Sequence, residues 1–205
     1  MKTLVLPAES RDGLELALQV LRSGGLVAFP TDTVYGVGGL AFDSQAVERI
    51  YWAKQRAVEK AIPVLLGQEA DLETIASSVP QMARRLASRF WPGPLTLVVS
   101  KKSSLPEAVA SGATVGARVP DHHIALALLR LAGAMAVTSA NLSGKTSART
   151  ADEVMQQLSG KVELVLDGGR TPGGIASTVV DCTKAEPKIL RPGPVSLEDI
   201  NAALE

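Results

Sequence analysis

The chain alternates short apolar runs with amphipathic segments, and this alternation predicts an ordered series of strands and helices. Apolar runs bounded by Gly, Pro or polar clusters predict strands at 3–6, 26–30, 62–66, 95–100, 115–120, 134–140, 162–167, 177–182 and 188–193. Apolar positions recurring every three or four residues predict helices at 12–25, 44–56, 80–93, 124–133 and 151–160. In the first helix Leu14, Leu18 and Leu21 share a face, and the pair Gly24–Gly25 indicates its end.

Strands and helices in alternation indicate the α/β class. Some neighbouring strands have no helix between them, so we expect a mixed sheet rather than a purely parallel one. A length of 205 residues suits one large domain, and the chain shows neither a linker nor an internal repeat. The sequence therefore predicts a single domain over residues 1–205.

The composition narrows the possible functions. Lys and Arg together number 21, as do Asp and Glu, and the net charge of zero argues against a protein devoted to non-specific nucleic-acid binding. The single cysteine, Cys182, excludes an intramolecular disulfide and a cysteine-based zinc site. The adjacent His122 and His123 favour the exposed start of a helix over a metal site. No apolar run approaches the length of a membrane span, and we expect a cytoplasmic protein.

Polar and glycine-rich stretches follow several predicted strands or end a helix. They lie at 31–36, 54–56, 116–120, 138–150 and 168–181, the last followed by Leu-Arg-Pro-Gly at 190–193. Open α/β sheets place their ligand sites at strand ends, so these stretches are candidates for one shared site. Neither the phosphate-loop pattern nor the dinucleotide glycine pattern occurs, so a nucleotide would have to be held by scattered cations and amides.

Each stretch alone also has a purely structural interpretation. Thr31-Asp32-Thr33 is compatible with a turn in which the side chains bind their own backbone. Lys54 and Arg56 could be the solvated last turn of a helix. The stretches 138–144 and 168–174 are compatible with a helix-capping turn and a flexible loop. Arg118 is different, because an arginine in an apolar strand needs a charged partner.

Taken together, the stretches resemble the YrdC/Sua5 family over residues 10–195. The matching segments, in order, are FPTDTVYGVG, KQR, WPGPLTLVV, VGARVP, TSANLSG, STVVD and LRPG. The resemblance implies a twisted open mixed sheet with flanking helices and a concave, positive active-site face. Because the chain ends at Glu205, we expect it to be similar to the short, single-domain members. It departs from the family pattern at Ala57, where many members have Pro, and at Leu65, where several archaeal members have a His that contacts threonine.

The resemblance implies an enzyme that joins L-threonine, bicarbonate or CO2, and ATP into threonylcarbamoyl-AMP, releasing pyrophosphate. Mg²⁺ would accompany ATP, with no metal ligand from the protein. Partner proteins would transfer the threonylcarbamoyl group to adenosine 37 of tRNAs that read ANN codons, with at most weak direct contact between RNA and this chain. No membrane partner is implied.

The resemblance also assigns residues to roles. The catalytic set is the Lys-x-Arg and Ser-x-Asn elements: Lys54, Arg56, Ser139 and Asn141. The ATP-binding set adds Lys60, Thr114, Ala140, Arg149 and Arg191. The threonine-binding set is Thr33, Tyr35, Arg118, Thr138 and Ser177, with Arg118 on the carboxylate. For Arg118 the rival interpretation is a structural ion pair with Asp32 or Asp121, and segment 141–150 is predicted to be a lid over ATP.

Two other functions stay open at this stage. One is a regulatory or RNA-binding member of the family without synthase activity, which loss of Lys-x-Arg or Ser-x-Asn would favour. The other is a carbamoyl-transfer domain like those of hydrogenase-maturation proteins, which lie within much longer, cysteine-containing chains. Both elements are present here, and they favour the synthase.

Overall fold

A computed structural model describes residues 2–173 and 175–205. The strands are β1 Leu4–Pro7, β2 Val27–Phe29, β3 Gly36–Leu40, β4 Val64–Leu65, β5 Ala76–Ser78, β6 Leu95–Lys101, β7 Thr114–Arg118, β8 Met135–Ser139, β9 Leu164–Asp167, β10 Thr178–Asp181 and β11 Lys188–Arg191. The helices are α1 Arg11–Arg22, α2 Ser44–Lys54, α3 Leu72–Ile75, α4 Gln81–Phe90, α5 His123–Ala132, α6 Ala151–Leu158 and α7 Leu197–Ala202, and a 3₁₀ turn at Glu69–Asp71 precedes α3. Among these helices, none combines the length and apolar character that crossing a membrane requires.

All the strands belong to one mixed sheet, as the sequence predicts. Their order is β1-β9-β2-β3-β8-β4-β7-β6-β10-β11, and β5 pairs with β6 beside this path. The parallel pairs are β1 with β9, β2 with β9, β4 with β7, and β6 with β10. The central pairs β2 with β3, β3 with β8, β8 with β4, and β7 with β6 are antiparallel.

Helices cover both faces of the sheet, and the side chains of β2 show how. Ala28 joins an apolar cluster with residues of α2, α4 and α6, whereas Val27 and Phe29 join a second cluster with residues of α1 and α5. Because successive strand residues point to opposite faces, these clusters lie on the two sides of the sheet. His122 precedes α5 and His123 is its exposed first residue, in agreement with the expected helix start.

The sequence pattern missed several elements, of which β3 matters most. Gly-Val-Gly-Gly-Leu follows a polar stretch and has the composition of a turn, yet it is a buried strand between β2 and β8. A Cβ on Gly38 would lie 2.4 Å from the carbonyl oxygen of Ala136, so glycine lets the two strands approach. The short elements β5, α3 and α7 were also not predicted.

Candidate functional site

A cavity of about 510 Å³ lies over the middle of the sheet. Its apolar lining includes Leu65, Val98, Val137 and Val179, from strands β4, β6, β8 and β10. All five polar stretches identified in the sequence contribute polar side chains to the cavity, which are Thr31, Thr33, Arg56, Arg118, Thr138, Ser139, Ser147, Ser177 and Arg191. The fold therefore brings together residues that lie up to 160 positions apart, since Thr31 and Arg191 line the same cavity.

The lining of this cavity is electropositive. Within the part of the chain that the structure describes, it includes Arg56, Arg118 and Arg191 and no acidic side chain. Arg191 lies close enough to Arg118 to contribute to lowering its pKa, although burial of Arg118 is the larger cause. Such a concentration of positive charge in a concave surface suits an anionic ligand.

Arg118 is buried and ion-paired. Its Nη2 donates to both carboxylate oxygens of Asp32 at 2.6 Å, its Nε donates to the Gly93 carbonyl at 2.9 Å, and its Nη1 donates to Thr33 Oγ1 at 3.3 Å. Burial lowers the pKa of Arg118, and the Asp32 carboxylate opposes that shift. These contacts establish the ion pair that was the rival interpretation, with Asp32 as the partner. Arg118 nevertheless lines the cavity, and its described contacts use four of its roughly five N–H donors, so one remains for a ligand.

In the loop between β2 and β3, the side chain that hydrogen-bonds the turn backbone is that of Thr31 rather than that of Asp32. Thr31 Oγ1 accepts from the amides of Thr33 and Val34 at 3.2 and 3.3 Å and donates to the Val34 carbonyl at 2.6 Å. The turn interpretation is therefore right for Thr31, whereas Asp32 braces the loop through Arg118. Thr33 is thereby held against the cavity.

Tyr35 forms part of the cavity wall, but its hydroxyl is already engaged by the β9–β10 loop. The hydroxyl donates to the Gly169 carbonyl at 2.8 Å and accepts from the Gly168 amide at 3.2 Å. Burial is the main reason that the pKa of Tyr35 rises to about 12. Tyr35 therefore links the 31–36 stretch to the 168–181 stretch.

Lys54, the last residue of α2, is buried and does not line the cavity. Its Nζ donates to the backbone carbonyls of Ser139 and Asn141. Its own carbonyl accepts from the Ser143 amide at 2.9 Å. Burial, aided by the nearby Arg56, lowers the pKa of Lys54 to about 7.

Arg56 lies at the cavity just after the end of α2. Gln55 has φ 52° and ψ 45°, a left-handed conformation that ends the helix. The Arg56 side chain donates from Nε to the Lys60 carbonyl at 3.2 Å and from Nη2 to the Ala61 carbonyl at 3.0 Å, which leaves Nη1 for a ligand. Arg56 is thus held by carbonyls at the cavity wall, in contrast to a solvated helix end.

The turn after β8 holds the Ser-x-Asn element. Ser139 lines the cavity beside Thr138, and the Ala140 amide donates to the Tyr35 carbonyl at 2.7 Å. Asn141 is only 5% exposed, and its Nδ2 donates to the carbonyls of Leu142 and Lys145, each at 2.8 Å. Its Oδ1 is buried and has no hydrogen-bond partner among the described residues.

Ser177 and Arg191 also line the cavity. Arg191 donates from Nε and Nη2 to the Ser177 carbonyl at 3.1 and 2.8 Å, and Ser177 Oγ lies 2.8 Å from Thr96 Oγ1. Thr96 is a lining residue that the sequence reasoning missed, and Ser147 was predicted only as part of segment 141–150. For Thr96 a signal was present, because it is the one hydroxyl in the apolar run Leu95–Val99.

Six of the nine predicted ATP contacts lie outside the described cavity lining: Lys54, Lys60, Thr114, Ala140, Asn141 and Arg149. The Lys60 carbonyl supports Arg56, and Thr114 begins β7 two residues before the lining residue Gly116. Arg149 donates from Nη2 to the Pro172 carbonyl at 2.9 Å and so fastens the β9–β10 loop. No group of three or more His, Cys, Asp and Glu side chains in residues 2–173 and 175–205 could hold a metal ion.

Comparison with known proteins gives this site a context. A protein named threonylcarbamoyl-AMP synthase from Pyrococcus abyssi is 44% identical over 193 residues, which cover 93% of this chain and 57% of that protein. One of the same name from Bacillus subtilis is 42% identical, covering 92% of this chain and 55% of that protein. The chain thus spans little more than half the length of these relatives.

The structure of P. abyssi Sua5 complexed with L-threonine superposes with a TM-score of 0.94 at 42% identity, covering 98% of this chain and 61% of that one. The family model for Sua5, YciO and YrdC proteins, described as telomere recombination, matches residues 19–193. With a model match over most of its length and this agreement in sequence and fold, the chain belongs to the Sua5/YciO/YrdC family.

Proposed function

We propose that this chain is an L-threonylcarbamoyladenylate synthase, which converts L-threonine, bicarbonate or CO2, and ATP into threonylcarbamoyl-AMP and pyrophosphate. The observation that carries the proposal is the cavity itself, where three arginines and several hydroxyls surround an apolar floor. A relative with the same fold binds L-threonine, and relatives of this sequence are named for the synthesis.

The proposed reaction has two bond-forming steps. The threonine amine attacks the carbon of CO2 and loses a proton, giving a carbamate. Starting from bicarbonate, that proton instead leaves together with a hydroxide from the bicarbonate, as one water. A carbamate oxygen then attacks the α-phosphorus of ATP, the bond from that phosphorus to the bridging oxygen breaks, and pyrophosphate leaves. Such a step depends mainly on positioning and on neutralising phosphate charge.

We assign the ATP side of the cavity to Arg56, Arg191 and Ser139. Both arginines are anchored to backbone carbonyls through Nε and Nη2, so each can offer Nη1 to a phosphate oxygen without reorienting. Anchoring beforehand reduces the entropy lost when the triphosphate binds. Mg²⁺ would enter with ATP, coordinated by phosphates and water, and would neutralise part of their charge.

We assign the threonine side to Arg118, Thr33, Thr138 and Ser177. The remaining N–H of Arg118 would meet the carboxylate, and the hydroxyls would meet the polar atoms of the amino acid. Leu65, only 6% exposed, lines the same cavity and would contact the substrate methyl group rather than its hydroxyl. In the cell the product would pass to partner proteins that modify adenosine 37 of tRNA, in the cytoplasm.

The test is a reaction with defined omissions. We expect pyrophosphate release to require threonine and bicarbonate together, with threonylcarbamoyl-AMP detected by mass spectrometry. In the same assay, Arg11→Ala is the control for the cavity variant Arg56→Ala. Arg11 pairs with Glu15 on the exposed face of α1, so its replacement should leave the product yield unchanged. Equal release with ATP alone would indicate a plain ATPase. Absence of product, with RNA binding retained, would favour the regulatory alternative.

A further inference from the structure

Lys54 connects the two elements that supply the ATP side of the cavity. It ends α2, two residues before Arg56, and its ammonium group reaches the turn that carries Ser139. Lys54 as a whole residue is 1% exposed, and Nζ donates to backbone carbonyls of that turn. A residue so placed has little access to a ligand in the cavity.

The connection runs in both directions. Nζ donates to the carbonyls of Ser139 and Asn141, while the amide of Ser143 donates back to the Lys54 carbonyl at 2.9 Å. On the other side of the turn, the Ala140 amide is fixed by the Tyr35 carbonyl at 2.7 Å. The peptide groups of residues 139–143 are therefore held from α2 on one side and from the 31–36 stretch on the other.

Without the lysine, this turn would lose its hold on α2. The buried Asn141 carbonyl would lack its donor, and the Ser139 carbonyl would keep only the Asn141 amide at 2.9 Å. Buried unpaired backbone groups are strongly disfavoured. The turn would rotate to find water, and rotation at Ser139 would move a side chain that lines the cavity. The position of Ser139 relative to Arg56 therefore depends on Lys54.

We propose that Lys54 is a positioning residue, which fixes the Ser139–Ser143 turn against α2 and does not itself contact the ATP phosphates. Its effect on catalysis rests on the proposed function, whereas its effect on the turn does not. This assignment differs from that expected from the family resemblance, in which Lys54 contacts ATP.

Hydrogen exchange in the substrate-free protein separates the two roles. In Lys54→Met, which keeps much of the length and removes the donors, we expect amides 141–145 to exchange about tenfold faster or more, since their local opening becomes easier. Lys184→Met, at an exposed lysine between β10 and β11, is the matched control and should leave these amides unchanged. Wild-type exchange at 141–145 in Lys54→Met would overturn the proposal.

Binding and kinetics supply the second comparison. Arg56→Ala should weaken ATP binding in calorimetry without altering exchange at 141–145. Lys54→Met should do the reverse, lowering kcat for adenylate formation more than it lowers ATP affinity, and Lys54→Arg should restore part of the kcat. A loss of ATP affinity alone in Lys54→Met would identify a phosphate ligand instead. The exchange result needs no substrate, so it stands even if the cavity supports another reaction.

If Lys54→Met does not fold, reductive methylation of the wild-type protein can distinguish a positioning lysine from a phosphate ligand. A positioning lysine should stay unmodified with and without ATP, because its amine is buried in both states. Modification in the free protein that ATP prevents would overturn the proposal.

Discussion

Replacing Asp32 tests the physical account of the threonine side of the cavity. In Asp32→Ala, Arg118 keeps its bonds to Gly93 and Thr33 but loses its counter-charge. The paired side chains are only 7% and 14% exposed, so water cannot readily replace the carboxylate. Arg118 would then be a buried charge without compensation, which is a severe perturbation.

Breaking one partner of a buried ion pair costs about 3–5 kcal/mol. In a chain of this length each kcal/mol lowers the melting temperature by about 2–4 °C, so we expect a fall of about 6–20 °C. Asp12→Ala, at an exposed aspartate in the first turn of α1, is the control and should cost less than about 1 kcal/mol. Urea unfolding monitored by circular dichroism measures both variants.

Threonine provides a second reading of the same variant. If Arg118 binds the substrate carboxylate, that carboxylate can take over part of the role of Asp32, and threonine should raise the melting temperature of Asp32→Ala more than that of the wild type. A cost below about 1 kcal/mol for Asp32→Ala would refute the reasoning, because it would mean that Arg118 does not need this partner.

Arg118→Lys should lower the melting temperature, since the planar fork that holds Asp32 is lost. If the rate of this variant depends on threonine as the wild-type rate does, the substrate carboxylate is bound elsewhere.

Three further predictions concern the ATP side. Arg56→Ala should lower the rate of adenylate formation by about 10³-fold or more while changing the unfolding free energy little, and an unchanged rate in a folded variant would exclude Arg56 from the site. Amides of residues 141–150 should exchange more slowly once ATP is bound, and equal protection with and without ATP would argue against a lid there. The pKa of Lys54 is lowered to about 7 from 10.5, so this lysine holds its proton more firmly in the unfolded protein than in the folded one. The free energy of unfolding should therefore rise with pH between these values. From pH 7 to 9, the free energy of unfolding of the wild type, measured in urea, should therefore rise relative to that of Lys54→Met by up to about 1.4 kcal/mol per pH unit. A difference between the two proteins that does not change with pH would contradict the lowered pKa.

The sequence predicted the mixed α/β sheet because strand and helix periods are visible locally. It missed β3, since its glycines are explained only by the approach of β8, a contact between residues almost a hundred positions apart. The prediction that the polar stretches form one shared site was also correct, because the structure brings members of all five to one cavity.

The direction of individual side chains was beyond the sequence. Lys54 and Arg56 are two residues apart, yet one is buried against a turn and the other lines the cavity. The left-handed Gln55 between them decides this difference, and no pattern in the sequence indicates it. For Arg118 the need for a partner was predictable from charge and burial, but the choice between Asp32 and a ligand was not.

The strand order has a consequence for how the protein is made. Among the described residues β1 pairs only with β9, and β10 and β11 form the other end of the sheet, so each end is completed by a strand that is synthesised after β1–β8. The cavity wall of Ser177, Val179 and Arg191 is likewise absent until translation has passed residue 191. At about 5–20 residues per second, the ribosome holds a chain with open sheet edges and no finished site for several seconds. During that interval the unpaired strand edges are open to pairing with other chains, and the cavity lacks part of its lining.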